Sequence, residues 1–345
     1  MRFQPLFIVF ILFFSQLAKA QNTNSEAVIL MYHHFGNDTP SSTSVTLEQF
    51  DAHLKYLADN QFNVWPLSKL VRAWQQNQTV PNKTVVLTAD DAYKSVYEQA
   101  YPRLKHYGWS MTTFVNSEPI DKGYGNFMTW EQMREMQKDG FEFANHSHTH
   151  SKMHPQENET HGEFELRVRQ ELNITQQRLQ QELGTQTNSD PKLFAYPYGE
   201  YSESGAEIIR KMGYVALAQV SGAVDKHADQ RALNRFPMAV NFAKLNDFIL
   251  KVNTKPLPLT SAEPFDPIIQ TNPPKMRLTF ERKISRLNCF NSRGEPLAMN
   301  WLDQTQLEIV SKTPLNPPRD RYACTAPSDE KGRWYWWGHL WVIKP

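Results

Sequence analysis

Cysteine is almost missing from this 345-residue chain: only Cys289 and Cys324 occur, both near the C-terminus. A chain of this length buries enough core to fold without disulfide staples. Two cysteines therefore exclude a disulfide scaffold, and in an oxidising compartment they would form one bridge. An excess of charge is missing too. Thirty-seven Lys and Arg stand against thirty-six Asp and Glu, so no long-range field draws the chain toward nucleic acid or an anionic membrane. Beyond the first twenty residues no apolar run approaches the roughly 20 residues that a membrane span needs. Internal repeats and low-complexity tracts are absent.

What is present begins with a processing signal. Met1-Arg2, an apolar run at 6–14 and Leu17-Ala18-Lys19-Ala20 before Gln21 read as a cleavable signal peptide at 1–20. Export to a periplasm or the extracellular space is expected. No cysteine follows Ala20 to carry a lipid, so no membrane anchor is expected. Aromatic residues reach 12%, with nine Trp, and such rings stack on sugars as readily as they fill cores.

Further along, short apolar segments alternate with helical periodicity. Residues 27–32 read as a buried strand ending on His33 and His34. Phe50, Leu54 and Leu57, then Leu67, Leu70, Val71 and Trp74, sit at helix-face spacing. A strand at 84–88 ends on Ala89-Asp90-Asp91. Helices at 95–107, 130–139 and 163–182 then alternate with strands at 111–115, at 141–144 (ending at His146) and at 193–196 (ending at Pro197-Tyr198-Gly199). Repeated strand-helix units predict an α/β barrel whose polar residues gather at the C-terminal strand ends. Pro256, Pro258, Pro264, Pro267, Pro273 and Pro274 crowd a stretch that neither a helix nor a central strand tolerates. The organisation predicted is one domain at 25–254, a Pro-rich linker at 255–275 and a small all-β domain at 276–345. Trp334, Trp336, Trp337 and Trp341 in that tail offer either core or a sugar platform.

Three strand ends carry candidate chemistry. Side chains of adjacent residues alternate on a strand, so Asp90 and Asp91 should take different roles, one on a metal and the other on a water. In Asn145-His146-Ser147-His148-Thr149-His150, two imidazoles four residues apart converge if the segment makes one helical turn. With Asp91 they form a three-ligand set that leaves a position open, the layout of a catalytic zinc site. Tyr196-Pro197-Tyr198-Gly199 is a rigid turn able to present an N–H to an oxyanion. Each cluster alone is weak: an Asp-Asp pair is most often a solvated turn, and His148 and His154 show that not every histidine can be a ligand. Their common place at strand ends of one sheet makes them a candidate site.

In these residues the chain resembles the polysaccharide deacetylases related to the nodulation chitooligosaccharide deacetylase, carbohydrate esterase family four, over 27–253. Thr88-Ala89-Asp90-Asp91-Ala92 resembles the family motif T-F-D-D-G, which implies Asp90 as general base and Asp91 as metal ligand. Asn145 through His150 is similar to N-H-[ST]-x-x-H, implying His146 and His150 as the other ligands. Pro197-Tyr198-Gly199 matches only part of R-x-P-Y-G, since Ala195 replaces the Arg that usually orients the base; Arg235 is a candidate substitute. The family's late L-x-H-D strand, which holds its general acid, is absent. Instead, Ile29-Leu30-Met31-Tyr32-His33-His34 is similar to the Y-H-D strand that opens a permuted barrel in deacetylases of biofilm β-1,6-linked N-acetylglucosamine polymers. His33 is then the implied acid, with His34 in place of Asp.

The resemblance implies a distorted (β/α) barrel of about seven strands with a small C-terminal all-β domain. It implies metal-dependent removal of N-acetyl groups from an N-acetylglucosamine-containing polysaccharide by a monomer, with Asp90, His33 and Tyr198 catalytic. Pro197, Tyr198 and Arg235 are expected to contact substrate. Zinc is the expected ion, and nickel, cobalt or iron accept the same ligands. Two other functions share these residues: an esterase removing O-acetyl groups, and a non-catalytic carbohydrate-binding protein suggested by the departures at Ala89, His34 and Ala195.

Overall fold

Val28–Tyr32 and Thr84–Ala89 are apolar runs buried at every residue, as strands covered on both faces must be. They pair in parallel, with Val28 opposite Val85 and Tyr32 opposite Ala89. In this computed structural model, which describes residues 24–36, 40, 42–184 and 191–343, the sheet continues in parallel through Thr112–Val115, Glu142–Asn145, Lys192–Ala195 and Tyr214–Leu217. The short Phe236–Pro237 strand flanks Val28–Tyr32 on its other side. The segment 233–237 joins the two ends of the curl: Leu233 bridges Leu217, while Phe236 pairs with Leu30. The result is a distorted α/β barrel of seven strands, to which Asn63–Val64 adds a pairing on Thr84–Ala89. The signal peptide expected at 1–20 lies outside the described residues.

Local chemistry explains the helix starts. Thr46, Thr129 and Thr160 each accept the N–H of the residue three ahead, and Gln49, Gln132 and Glu163 reach back to close capping boxes. The helix expected at 95–107 opens instead as a π-helical turn, Val96–Ala100, before α-helical Tyr101–His106; Pro102 has no N–H with which to continue the α-ladder. The long helix His161–Leu183 buries Phe164, Val168, Glu171, Leu172, Thr175, Leu179 and Leu183. No helix among the described residues is long and apolar enough to cross a membrane.

The proline-rich stretch is not a structureless linker. Lys255–Pro256 pairs with Trp334–Val342, and Leu259–Glu263 pairs with Lys275–Phe280. Both are edge strands, where a residue without an N–H is tolerated. They complete two four-stranded sheets, whose facing residues, among them Met276, Leu278, Ile309, Tyr322 and Trp341, share one core. Cys289 and Cys324 oppose each other on neighbouring strands and are disulfide-bonded. The four Trp do not make a platform, because strand alternation disperses them. Trp336 packs on Phe236 of the barrel with ring centres 5.3 Å apart. Trp341 is 1% exposed in the sandwich core, whereas Trp334 stays 40% exposed.

Candidate functional site

Where the Thr84–Ala89 strand ends, Asp90 N–H donates to the Tyr32 carbonyl at 3.0 Å. Asp91 and Ala92 then both take left-handed backbone, at φ 71° and 57°, a conformation that costs residues with a Cβ. The reversal gives the two carboxylates different surroundings. Asp90 is wholly buried and is gripped by an equally buried Arg235, Nη1 to Oδ1 at 2.7 Å and Nη2 to Oδ2 at 2.8 Å. Arg235 also donates to the Ala218 carbonyl at 3.0 Å and to Thr88 Oγ1 at 3.3 Å. Burial pushes the Asp90 carboxyl up, but the adjoining Arg235 guanidinium together with the His146 and His33 imidazoles outweighs it, and the group is held below the usual carboxylate range. The sequence places Arg235 among substrate contacts. In the structure its guanidinium is spent on Asp90, with none of its surface open to a ligand.

Asp91 faces the histidines. His146 and His150 converge, though not on a helical turn: no helix spans 146–150, and Ser147 and His150 adopt φ of 66° and 59°. This loop is held by Glu171, which is buried on the long helix. Its carboxylate accepts the N–H of His148 at 2.9 Å, the N–H of Thr149 at 2.8 Å and the Thr149 hydroxyl at 2.7 Å. His146 Nδ1 donates to the Ala195 carbonyl at 2.8 Å, which fixes its tautomer and frees Nε2. That nitrogen lies 3.4 Å from Asp91 Oδ1, and His150 Nε2 lies 3.2 Å from the same oxygen. Both Asp91 Oδ1 and His146 Nε2 are buried without a hydrogen-bond partner, a costly state for polar atoms. The three ligand atoms lie within 4.8 Å of one another, and two imidazoles with one carboxylate suit a divalent ion with an open position. The residues fit a metal. His148 and His154 stand apart, on Ser117 and Glu200.

Tyr198 occupies the Pro197–Gly199 turn at φ 59°, with its ring edge-on to His150 at 4.4 Å between centres. Gly199 follows at φ 72°, where a Cβ would lie 2.6 Å from that of Gln219; only glycine satisfies both demands. His33 Nε2 is 4.0 Å from Asp90 Oδ2. Burial pushes the His33 imidazole below its ordinary pKa, against the pull of Asp90 and Asp91. The His34 ring stacks on that of Tyr93, with ring centres 3.5 Å apart.

Two participants escape sequence reasoning. Tyr93 adjoins Asp91, and burial, with that carboxylate, pushes its phenol pKa up; a lone loop tyrosine carries no pattern. Glu171 did leave a signal, a carboxylate on the apolar face that includes Phe164, Val168 and Thr175. A cleft of about 990 Å³ lies elsewhere, between barrel and sandwich, lined by Arg231, Phe265, Trp337 and His339 among others and by none of Asp90, Asp91, His146, His150 and Tyr198.

Residues 77–217 match the family model described as polysaccharide deacetylase. Over that stretch the chain is similar to the polysaccharide deacetylases. The family is one of hydrolases. YxkH of Bacillus subtilis is 29% identical over 216 residues, which cover 60% of this chain and 69% of that protein. The poly-β-1,6-N-acetyl-D-glucosamine N-deacetylases of Escherichia coli and Staphylococcus aureus are 26% and 25% identical over 245 and 175 residues. Those matches cover 61% and 49% of this chain but only 35% and 59% of the relatives. Among solved structures, Streptococcus pyogenes deacetylase PplD in complex with acetate aligns with a TM-score of 0.58 at 24% identity, covering 67% of this chain and 99% of that one. IcaB from Ammonifex degensii aligns at 0.54 and 22%, covering 65% and 97%. At these identities the two structures establish the barrel fold. The stretch matched by the family model contains Asp90, Asp91, His146, His150 and Tyr198, while His33 and Arg235 lie outside it.

Proposed function

We propose that this chain is a metal-dependent enzyme that removes N-acetyl groups from an N-acetylglucosamine-containing polysaccharide. The observation that carries this is the division of roles between two adjacent carboxylates. Asp91 meets two imidazoles, while Asp90 is buried, ionised and held by Arg235 beside them. A sugar-binding protein has no use for the second carboxylate. Arg235 also meets the objection raised by Ala195, since a guanidinium reaches the base from the residue just before the Phe236–Pro237 strand. The β-1,6-N-acetylglucosamine deacetylases among the relatives favour a polymer of that class. The disulfide, a bond that persists in oxidising compartments, supports export by the segment at 1–20.

A divalent ion held by Asp91, His146 and His150, zinc before nickel, cobalt or iron, supplies Lewis-acid activation and lowers the pKa of water toward about 7. Asp90 accepts the proton of the water that attacks the amide carbonyl. The Tyr198 N–H, carried by its left-handed turn, donates to the oxyanion. His33 then protonates the departing amine, a poor leaving group otherwise. Its lowered pKa keeps it neutral at pH 7, so its proton must arrive during the cycle, and Asp90 at 4.0 Å is placed to supply it.

Acetate release is the test, measured on β-1,6- and β-1,4-linked N-acetylglucosamine oligomers and on acetylated xylan, with and without chelator. Release from the N-acetylated oligomers, lost with chelator and restored by zinc, is expected. Faster release from xylan would make the enzyme an O-acetyl esterase. Asp90→Asn should keep the metal and lose at least about 100-fold in rate; a wild-type rate with metal bound removes Asp90 as the base.

A further inference from the structure

The Tyr198 turn is held from outside the barrel. Arg319, the first residue of the Arg319–Pro327 strand in the β-sandwich, donates from Nη1 to the Tyr198 carbonyl at 2.6 Å across 121 residues of sequence. Its Nε lies 3.4 Å from Glu200 Oε1. Glu200 is 2% exposed, and its other oxygen meets Lys152 at 2.9 Å and His154 at 3.1 Å. One buried carboxylate thus gathers the loop that follows His150, the Tyr198 turn and the sandwich. The backbone ties the same two loops together: Met153 bridges Tyr201, with Met153 N–H on the Glu200 carbonyl at 3.3 Å and Ser202 N–H on the Met153 carbonyl at 3.0 Å.

Arg319 is itself well anchored at its base. The Pro318 carbonyl accepts Ile343 N–H at 2.9 Å, and Asp320, 3% exposed, accepts Ser292 N–H at 2.9 Å. On the far side of the turn, Gln219 packs closely against Gly199, where a Cβ would lie only 2.6 Å from that of Gln219. Tyr198 sits in a backbone region that residues with a Cβ leave readily unless neighbours over-determine it. Gln219 and Arg319 are the neighbours that do so.

We propose that the β-sandwich belongs to the catalytic machinery: Arg319 is a positioning residue that fixes the Tyr198–Gly199 peptide by its carbonyl and so, through the left-handed Tyr198 dihedrals, holds the preceding Pro197–Tyr198 peptide with its N–H toward the oxyanion. This rests on the assignment of Tyr198 N–H as oxyanion donor. The sandwich then acts on the chemical step, so its loss is felt equally on short and long substrates. A substrate-gripping appendage would matter for long ones alone.

The full chain with Arg319→Ala and Arg319→Lys tests this by two readouts. In the first, kcat and KM for acetate release are measured on an N-acetylglucosamine trimer and on polymer, alongside metal content. Loss of one oxyanion donor costs about 100- to 1,000-fold; loosening it should lower kcat at least roughly 10-fold on both substrates, with KM and metal content unchanged. Lysine can reach the carbonyl or Glu200 but lacks the fork that spans both, and should recover part of the loss. An unchanged kcat, a loss confined to polymer, or a loss explained by missing metal overturns the proposal. The second readout is amide hydrogen exchange across 196–202, where Gly199 and Glu200 donate to Tyr196 and Pro197. Arg319→Ala should speed it about 10-fold. Unchanged exchange overturns the proposal whatever the activity, so a failure of the deacetylase assignment is told apart from a failure of this one.

Discussion

Replacing Arg235 by methionine would leave the Asp90 carboxylate in the barrel interior with no countercharge. Both partners are fully buried and joined by two short bonds of 2.7 and 2.8 Å, so solvent screening offers little discount. Two charge-assisted bonds at about 1.5–3 kcal/mol each agree with the roughly 3–5 kcal/mol that breaking a buried pair costs. The Ala218 carbonyl and Thr88 hydroxyl lose a donor as well. Urea titration should therefore show Arg235→Met less stable by about 4 kcal/mol. The double variant Asp90→Asn with Arg235→Met should regain at least half, because the stranded charge is gone. Arg235→Lys should fall between, since an ammonium cannot make the bidentate grip. A single-variant loss under about 1 kcal/mol, or a double-mutant coupling that small, would refute the claim that this guanidinium holds the base.

Two further outcomes follow from buried groups that sequence reading passed over. Glu171→Gln keeps shape but weakens three bonds to the histidine loop, so metal affinity should fall about 10- to 100-fold by calorimetric titration; unaltered affinity would show that the loop holds itself. His53 is wholly buried between the Tyr32 hydroxyl and the Ala243 carbonyl, and burial depresses its pKa to about 4 from an unfolded value near 6.5. Between those values only the unfolded chain binds the proton, so this stability is complete above pH 6.5 and is lost as pH falls toward 4, about 3 kcal/mol in all. Urea midpoints at pH 7 and 4.5 should show the drop in the wild type and a flatter response in His53→Gln; equal slopes would exclude His53 as the cause.

Asp91, His146 and His150 could be singled out in the sequence because they sit at strand ends and are residue types with metal chemistry, properties carried within a few residues. The helical turn expected to unite the two histidines was wrong in form and right in outcome, since left-handed residues braced by Glu171 achieve the same convergence. Arg235 was only a candidate for Asp90, because 145 residues separate them and nothing in either neighbourhood records the meeting. Proline density correctly forbade central strands at 255–275, yet it could not distinguish a linker from two edge strands. That distinction lies in which neighbour a strand lacks.

The sequence by itself determined the alternation of strands and helices, the threonine caps that start three helices and the chemical identity of the metal-fitting residues. These follow from periods of 2 and about 3.6 residues and from bonds spanning three or four positions. Only the tertiary structure decided that Arg235 grips Asp90, that Glu171 braces the histidine loop and that the sandwich's Arg319 reaches the Tyr198 carbonyl. Each is a contact made when the barrel curls shut or the sandwich docks, and its geometry depends on the packing of the whole chain.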